Sequence, residues 1–139
     1  VYEVPLILEE QGLGDLIVDC LALPSAINDM DNWREMVSSI HGIEKQTKIA
    51  IVGKYMELED SYLSVKEALI HAGVHQDLAI DISWVASEDI EKDGPSHYLD
   101  SVNGIVVPGG FGERGIIGKL TSIKFARENT LENTFKKWQ

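Results

Sequence analysis

Residues 104–115 read GIVVPGGFGERG, and this stretch decides the fold. It starts as a short β-branched strand, Gly104 to Val107, and continues directly into a loop that contains four glycines. Open α/β sheets bind ligands in the crevice beyond the carboxyl ends of their strands, so residues 108–115 are the candidate site. A helix is predicted to follow the loop, and its apolar residues are Ile116, Leu120, Ile123 and Ala126.

Two further strands and a helix are predicted before the loop. Residues 48–53 form a β-branched run typical of a buried parallel strand, and residues 79–85 alternate apolar and polar side chains. Asp60 and Ser61 are the predicted N-caps of an intervening helix, and residues 88–93 are predicted to be an acidic loop or short turn. The order of elements predicts an α/β fold, a three-layer domain that is built on a parallel sheet and preceded by helices. The shared face of the intervening helix is predicted to hold Tyr62, Val65, Leu69 and Ala72.

The first third of the chain is predicted to be mostly helical. Pro5 and Gly12 mark the start and the end of a short helix. The next stretch carries an apolar stripe at helical spacing, formed by Leu13, Leu16, Ile17, Cys20 and Leu21. Because Cys20 is part of that stripe, we expect it to be a buried small hydrophobe and not a reactive thiol. Residues 24–46 are predicted to be a linker with a mildly helical part at 33–40.

Composition and charge exclude several classes of partner. The 139 residues carry a net charge of −11, so nucleic acid and anionic membranes are expected to be repelled. No apolar run approaches the roughly 20 residues that cross a bilayer, and no secretory signal is recognisable, so we expect a cytoplasmic protein. The single cysteine forms no internal disulfide and has no His at metal-ligand spacing, so no metal site is predicted. A chain that opens at Val1 without Met is expected to be a fragment or a processed product.

The residues of the glycine loop leave three interpretations open. Residues 110–115 match the dinucleotide pattern G-x-G-x-x-G, although Glu113 would bring negative charge towards a pyrophosphate and residues 128–139 are too polar for the next strand. A tight turn that requires positive φ needs only one or two of the glycines. The third interpretation, which we favour, is acyl chemistry, in which bare main-chain amides face a carbonyl oxygen that becomes negative in a tetrahedral intermediate. A P-loop is excluded because no glycine stands five residues before Gly53.

Three motifs together resemble the start of the glutaminase domain of the CTP synthase family. They are VGKY at 52–55, DSYLSV at 60–65 and VPGGFGERG at 107–115, in that order and spacing. Residues 1–13 are similar to the end of the synthetase (amidoligase) domain of the same family, so the likeness covers about residues 1–129. The resemblance implies the end of the synthetase domain at 1–23, an interdomain linker at 24–46, the first half of a class I glutaminase domain at 47–129 and a divergent tail at 130–139. The fold that it implies is α/β, with an incomplete flavodoxin-like three-layer parallel sheet preceded by helices.

The resemblance also implies an activity and its partners. In the family, a cysteine thiolate attacks the side-chain amide of glutamine, and the released ammonia reaches a UTP activated by ATP to give CTP. The intact family uses ATP and Mg²⁺, responds to GTP as an activator and forms a homotetramer, and we expect this fragment to retain no cofactor. The implied site residues are Gly109, Gly110 and Phe111 for glutamine and the oxyanion, Arg114 and Gly115 for the GTP-responsive loop, and Lys54 and Tyr55 for the face between domains.

Two departures from the family pattern affect the expected function. Ile117 stands where the family usually has Glu in the regulatory loop. After Asn129 the family continues into a strand and a Gly-x-Cys-x-Gly nucleophile elbow, whereas Lys137 lies about where that cysteine should fall. Cys20 cannot replace it, because the resemblance assigns Cys20 to the synthetase domain. We therefore expect no catalytic residue and no glutaminase activity in this chain, and the alternative function is a non-catalytic α/β interaction module with an uncovered sheet edge.

Overall fold

The computed structural model describes residues 1–24, 29–110 and 112–129. The chain divides into two compact units, Val1–Ile43 and Glu44–Gln139. In the described residues, no helix combines the length and the apolar character that a membrane span requires.

The described part of the first unit is helical. Pro5 lies in the first turn of its first helix, and Gly12 follows that helix with a left-handed φ of +73°. The indole N–H of Trp33 donates to the carbonyl oxygen of Tyr2 at 2.8 Å, which ties the third helix to the start of the chain. The predicted helices of this region are confirmed, and their bounds are α1 (Val4–Glu10), α2 (Leu13–Cys20) and α3 (Asp31–Ile40).

The side chain of Cys20 is exposed, so the prediction of a buried thiol is wrong. The other apolar residues of the same stripe are exposed as well, from 36% for Leu13 to 64% for Leu21. Across α1, α2 and α3, the described structure buries one residue, Val37. Helical spacing shows which residues share a face, but it does not show that another element covers that face.

An exposed thiol makes Cys20 a direct test of this unit. We expect a thiol reagent such as DTNB to titrate one cysteine per native chain, about as fast as after unfolding in denaturant, because no packing has to open first. The Cys20→Ser variant is the control and should not react. Protection of the native thiol that disappears on unfolding would contradict the exposed position.

The second unit is built on a parallel sheet. The order of its described strands is β2-β1-β3, so the first strand in sequence is the central one. Ile51 of the central strand lies opposite Trp84 on one side and Val106 on the other. The predicted strands and their parallel arrangement are confirmed, and their bounds are β1 (Gln46–Gly53), β2 (Ala79–Ala86) and β3 (Gly104–Val106).

One face of the sheet is covered by three helices and contains the main core. Ala50 and Val52 point to this face from β1, and both are completely buried. They pack with Val85 of β2 and with the buried residues Ile90 and Leu99, which come from two of the covering helices. This cluster is the main apolar core of the described part of the unit. The three helices are α5 (Ser87–Asp93), α6 (Ser96–Leu99) and α7 (Ile116–Asn129).

The opposite face of the sheet is covered by α4 (Leu63–His75). Side chains alternate along a strand, so Ile51 points away from Ala50 and towards this second face, where it is fully buried. At Gly73 of α4, an added Cβ would lie 2.7 Å from the side chain of Ile80, so the helix backbone sits directly on β2. Helices on both faces confirm the predicted three-layer α/β arrangement.

Two local predictions in this unit are wrong. Asp60 and Ser61 do not cap a helix, because they lie in a 3₁₀ turn (Glu59–Tyr62) and α4 starts after it without a side-chain cap. Residues 88–93 belong to α5, whose amphipathic turn buries Ile90 although most of its side chains are acidic. The predicted shared face of Tyr62, Val65, Leu69 and Ala72 includes one exposed residue, Ala72, and the residue that α4 buries is the adjacent Gly73, where the helix approaches the sheet too closely for a side chain.

The helix predicted after the glycine loop is confirmed as α7, but most of its apolar face is not covered. Ile116, Leu120 and Ile123 are 41%, 57% and 48% exposed. The residues that α7 buries are small ones, Gly118 and Ser122. The helix therefore packs on its neighbours through its small-residue face.

Candidate functional site

The candidate site lies where the three parallel strands end. Parallel strands have their carboxyl ends at the same edge, so Lys54 follows β1, Ser87 follows β2 and Pro108 follows β3 at one edge of the sheet. The glycine loop, residues 108–115, leaves the sheet there and leads into α7. The structure thus brings the sequence-predicted residues after β1 together with the glycine loop.

Arg114 connects the glycine loop to the ends of β1 and β2. Its Nε atom lies 2.9 Å from a carboxylate oxygen of Glu88, which follows β2, and its NH2 group donates to the Lys54 carbonyl oxygen at 3.2 Å. Its guanidinium carbon lies 5.6 Å from the centre of the Tyr55 ring. The Arg114 side chain is 62% exposed, so the ion pair contributes no more than about 1 kcal/mol to stability. Its main effect is to fix the position of the loop relative to the strand ends.

Lys54, at the end of β1, binds the second half of the glycine loop. Its side chain is 7% exposed, and its ammonium group donates to the carbonyl oxygen of Gly112 at 2.5 Å. Its main-chain N–H donates to the hydroxyl of Tyr62 at 3.1 Å. Burying an ammonium group costs free energy unless the group is hydrogen-bonded. The buried position of Lys54 therefore depends on its bond to Gly112, and the same bond stabilises the loop.

Lys119 holds the near end of the loop. This residue lies on α7, and its ammonium group donates to the Pro108 carbonyl oxygen at 2.8 Å. Partial burial lowers the pKa of Lys119, the nearby charge of Lys54 lowers it further, and the carboxylate of Glu88 acts in the opposite direction. Two cationic groups therefore lie beside the same short loop.

The four glycines of the loop divide into two pairs with different requirements. Gly112 and Gly115 have φ of +79° and +70°, which other residues rarely adopt. Gly109 and Gly110 do not have positive φ, and an added Cβ would meet nothing within 4 Å at Gly109 and only the Lys119 ammonium, at 3.5 Å, at Gly110. The fold therefore requires glycine at positions 112 and 115. It does not require glycine at positions 109 and 110, which can serve another purpose.

The main-chain amides of Gly109 and Gly110 have no hydrogen-bond acceptor among the described residues. Gly109 and Gly110 are exposed, and neither amide donates a hydrogen bond to any other residue in the described ranges. The turn interpretation would place these amides inside ordinary turn hydrogen bonds, and it therefore accounts for Gly112 and Gly115 but not for Gly109 and Gly110. Phe111, the third predicted glutamine-binding residue, lies outside the described residues.

The start of α7 is occupied by a carboxylate of the protein itself. The main-chain N–H of Gly118, in the first turn, donates to a carboxylate oxygen of Glu91 at 2.9 Å. A dinucleotide would need this helix terminus for its pyrophosphate, and a carboxylate already bound there would repel it. The geometry therefore disfavours the dinucleotide interpretation of residues 110–115.

Sequence reasoning missed the residues that support the loop from α5 and α7. Glu88, Glu91, Gly118 and Lys119 were not assigned to the site, because each acts through a contact with a distant part of the chain. The spacing of Gly115, Gly118 and Ser122 at i, i+3 and i+7 was the available signal, since it marks a helix face without bulk. Ile117, the departure from the family pattern, is 64% exposed.

The described residues offer no competing site of comparable chemistry. An open depression of about 270 Å³ lies in the first unit, but two of its polar side chains, Glu3 and His41, approach each other to 3.0 Å at an exposed position. No group of three or more His, Cys, Asp or Glu residues that could hold a metal ion is found in the described parts of the chain.

Comparison with known proteins shows which families this sequence is similar to. The family model for glutamine amidotransferase class-I matches residues 57–132. The CTP synthases of Chloroflexus aggregans and Dehalococcoides mccartyi are each 52% identical over 129 residues, which is 93% of this chain and 24% of the relative. The CTP synthase of Herpetosiphon aurantiacus is 51% identical over 131 residues, 94% of this chain and 24% of its own length. The chain thus spans about a quarter of the length of the curated relatives it matches.

A solved structure shows similarity in the fold. The glutaminase domain of Trypanosoma brucei CTPS with bound acivicin matches with a TM-score of 0.54 and 38% sequence identity. The match covers 60% of this chain and 33% of that structure. The similarity in fold therefore accompanies the similarity in sequence.

Proposed function

The chain belongs to the class I glutamine amidotransferase family, and we propose that its second unit supplies the glycine-loop side of a glutamine-hydrolysing site in a CTP synthase. The observation that carries the proposal is the pair Gly109 and Gly110. The backbone does not require glycine at either position, neither amide donates a hydrogen bond within the described ranges, and both residues lie beyond the carboxyl end of β3. Donors of this kind stabilise a carbonyl oxygen that acquires negative charge.

The proposed chemistry is nucleophilic attack on the side-chain amide of glutamine. A cysteine thiolate adds to the amide carbon, and the carbonyl electrons move to the oxygen, which the amides of Gly109 and Gly110 would stabilise. When this intermediate collapses, the carbon–nitrogen bond breaks and the nitrogen leaves as ammonia with a proton from a general acid, which we assign to a residue outside this chain. The thioester that remains is hydrolysed by water to glutamate, and the cysteine thiol is released. We assign the thiolate to a residue outside this chain, whose one cysteine, Cys20, belongs to the first unit. The 139-residue polypeptide is then expected to release no ammonia from glutamine above the buffer rate.

The other implied roles are part of the same proposal. We assign residues 1–23 to the end of a synthetase domain, 24–46 to a linker, 47–129 to the first half of a glutaminase domain and 130–139 to a divergent tail. Arg114 and Gly115 would belong to a GTP-responsive loop, and Lys54 and Tyr55 would lie near the face between domains. UTP, ATP with Mg²⁺ and a homotetramer would concern the whole enzyme, and no contact with them is assigned to the described residues.

A hybrid enzyme tests the proposed function. In it, this chain's matched segment replaces the corresponding 129 residues of the Chloroflexus aggregans CTP synthase. We expect the hybrid to form CTP from UTP and ATP with either glutamine or ammonium as the nitrogen source, because the replaced segment would contribute an equivalent glycine loop. A hybrid that uses ammonium but not glutamine would show that this segment does not build a glutamine site.

The alternative function, a non-catalytic interaction module, is supported by the exposed apolar residues on α7. Ile116, Ile117, Leu120 and Ile123 are each at least 41% exposed. Such a surface can associate with other chains. Sedimentation of the 139-residue chain at several concentrations measures such association. Self-association of the chain, together with a hybrid that is inactive with glutamine, would favour this alternative.

A further inference from the structure

We propose that Lys119 is a positioning residue that sets the direction of the Gly109 amide, an inference that rests on the proposed glutamine site. Lys119 lies on α7, outside the loop, and its ammonium group donates to the carbonyl oxygen of Pro108 at 2.8 Å. This oxygen belongs to the peptide unit that contains the Gly109 N–H. Whatever fixes one end of the unit fixes the other.

The planarity of the peptide bond transmits the effect. In a trans peptide, the C=O and the N–H of one unit point in opposite directions, and no cis peptide bond is found among the described residues. When Lys119 holds the Pro108 carbonyl oxygen, the Gly109 N–H must point away from α7. A glycine at position 109 does not restrain its own orientation, because nothing lies within 4 Å of the place where its Cβ would be. The restraint therefore has to come from Lys119.

A second ammonium completes the arrangement at the other end of the loop. Lys54 donates to the carbonyl oxygen of Gly112 at 2.5 Å. The carbonyl oxygen of Pro108, directly before Gly109, and that of Gly112, two residues after Gly110, are thus both bound by lysines, one from α7 and one from the end of β1. A loop that is held at both ends presents its intervening amides without a reorganisation cost at the moment of reaction.

Electrostatics support the same role. Burial and the charge of Lys54 both lower the pKa of Lys119, while the carboxylate of Glu88 raises it. Lys119 nevertheless donates to the Pro108 carbonyl oxygen, whereas Lys124 on the same helix is exposed. Two cations beside the loop also create a positive potential where negative charge develops on the substrate oxygen.

The first test uses the full 139-residue chain and does not depend on catalysis. In the unsubstituted protein, a through-hydrogen-bond NMR coupling between the Lys119 Nζ and the Pro108 carbonyl carbon is expected. In Lys119→Met, we expect the Pro108 carbonyl and Gly109 amide resonances to shift and the Gly109 order parameter to fall from about 0.85 towards 0.6. Lys124→Met is the matched control and should change neither. An absent coupling, or a Gly109 amide unaffected by Lys119→Met in a chain with native β1 resonances, would overturn the inference.

The second test uses the hybrid CTP synthase. With glutamine, Lys119→Met should lower kcat by about tenfold or more with little change in KM, because a misdirected donor weakens transition-state stabilisation more than ground-state binding. Lys119→Arg, which can still donate to Pro108, should recover most of the rate. A higher KM with an unchanged kcat in Lys119→Met would contradict a positioning role. So would a Lys119→Arg variant that does not recover the rate. If the unsubstituted hybrid fails with glutamine, the proposed function fails while the NMR result still decides the role of Lys119.

Discussion

Gly118→Ala is expected to destabilise the second unit by at least about 3 kcal/mol, and the variant should unfold under conditions in which the parent chain is native. An added Cβ at this position would lie 1.8 Å from the carbonyl oxygen of Ser87 and 2.7 Å from its carbonyl carbon. Both are backbone atoms, so no side-chain rotation relieves the overlap. The helix α7 would have to move away from α5.

Moving α7 also breaks a hydrogen bond that closes its first turn. The Gly118 N–H donates to Glu91 at 2.9 Å, and this bond crosses the same contact between the two helices. In an ordinary helix interior, replacement of glycine by alanine stabilises by about 1 kcal/mol, so the expected sign is opposite to that of helix propensity. The sign of the change therefore separates the packing argument from the propensity argument.

Urea unfolding, followed by far-UV circular dichroism, measures this effect. Ile117→Ala is the matched control on the same helix, and its stability should change by only about 0.5 kcal/mol because Ile117 is 64% exposed. A Gly118→Ala variant as stable as the parent, or more stable, would show that α5 and α7 are not in close contact.

Gly110→Ala, unlike Gly118→Ala, is expected to retain the fold and to lose the proposed chemistry. The added Cβ would meet only the ammonium of Lys119, at 3.5 Å, which is an ordinary contact. Stability should change by less than about 1 kcal/mol and can increase, because alanine restricts the unfolded chain. In the hybrid enzyme, glutamine-dependent CTP formation should fall about 100-fold, since the methyl group occupies the space in which the substrate oxygen approaches the amide.

The nitrogen source provides the control for Gly110→Ala. Ammonium enters the synthetase reaction without a glutamine site, so ammonium-dependent CTP formation should stay at the level of the unsubstituted hybrid. Gly109→Ala, at which a Cβ meets nothing in the described structure, should behave in the same way. Equal loss with glutamine and ammonium would indicate a structural effect, and no loss with either would remove both glycines from the proposed site.

The strands and the site loop could be predicted from sequence because their signals are local. The β-branched run at 48–53 and the glycine loop at 108–115 each carry their structural requirement within a few residues. Cys20 and the apolar face of α7 could not be placed correctly, because periodicity does not show which face a neighbour covers. The interpretation of Asp60 and Ser61 as caps was wrong because a 3₁₀ turn precedes the helix.

The supporting lysine and glutamates were beyond sequence reasoning for a different reason. Glu91 and Gly118 are 27 residues apart, and Lys54 and Gly112 are 58 apart, so their pairing depends on the assembled sheet. A lysine in a polar helix is by default a solvated surface residue. The position of Lys119 beside Pro108 became visible only when the loop and α7 were seen together.

The central place of β1 in the sheet has a consequence for how the protein is made. A ribosome synthesises β1 first, then β2, which pairs on one side of it, and then β3, which pairs on the other side. Of the three described strands, β2 and β3 therefore each find their partner β1 already present when they emerge, and neither has to be inserted between two strands that are already joined. This order of assembly limits the time during which the two edges of β1 in the nascent chain are open to aggregation.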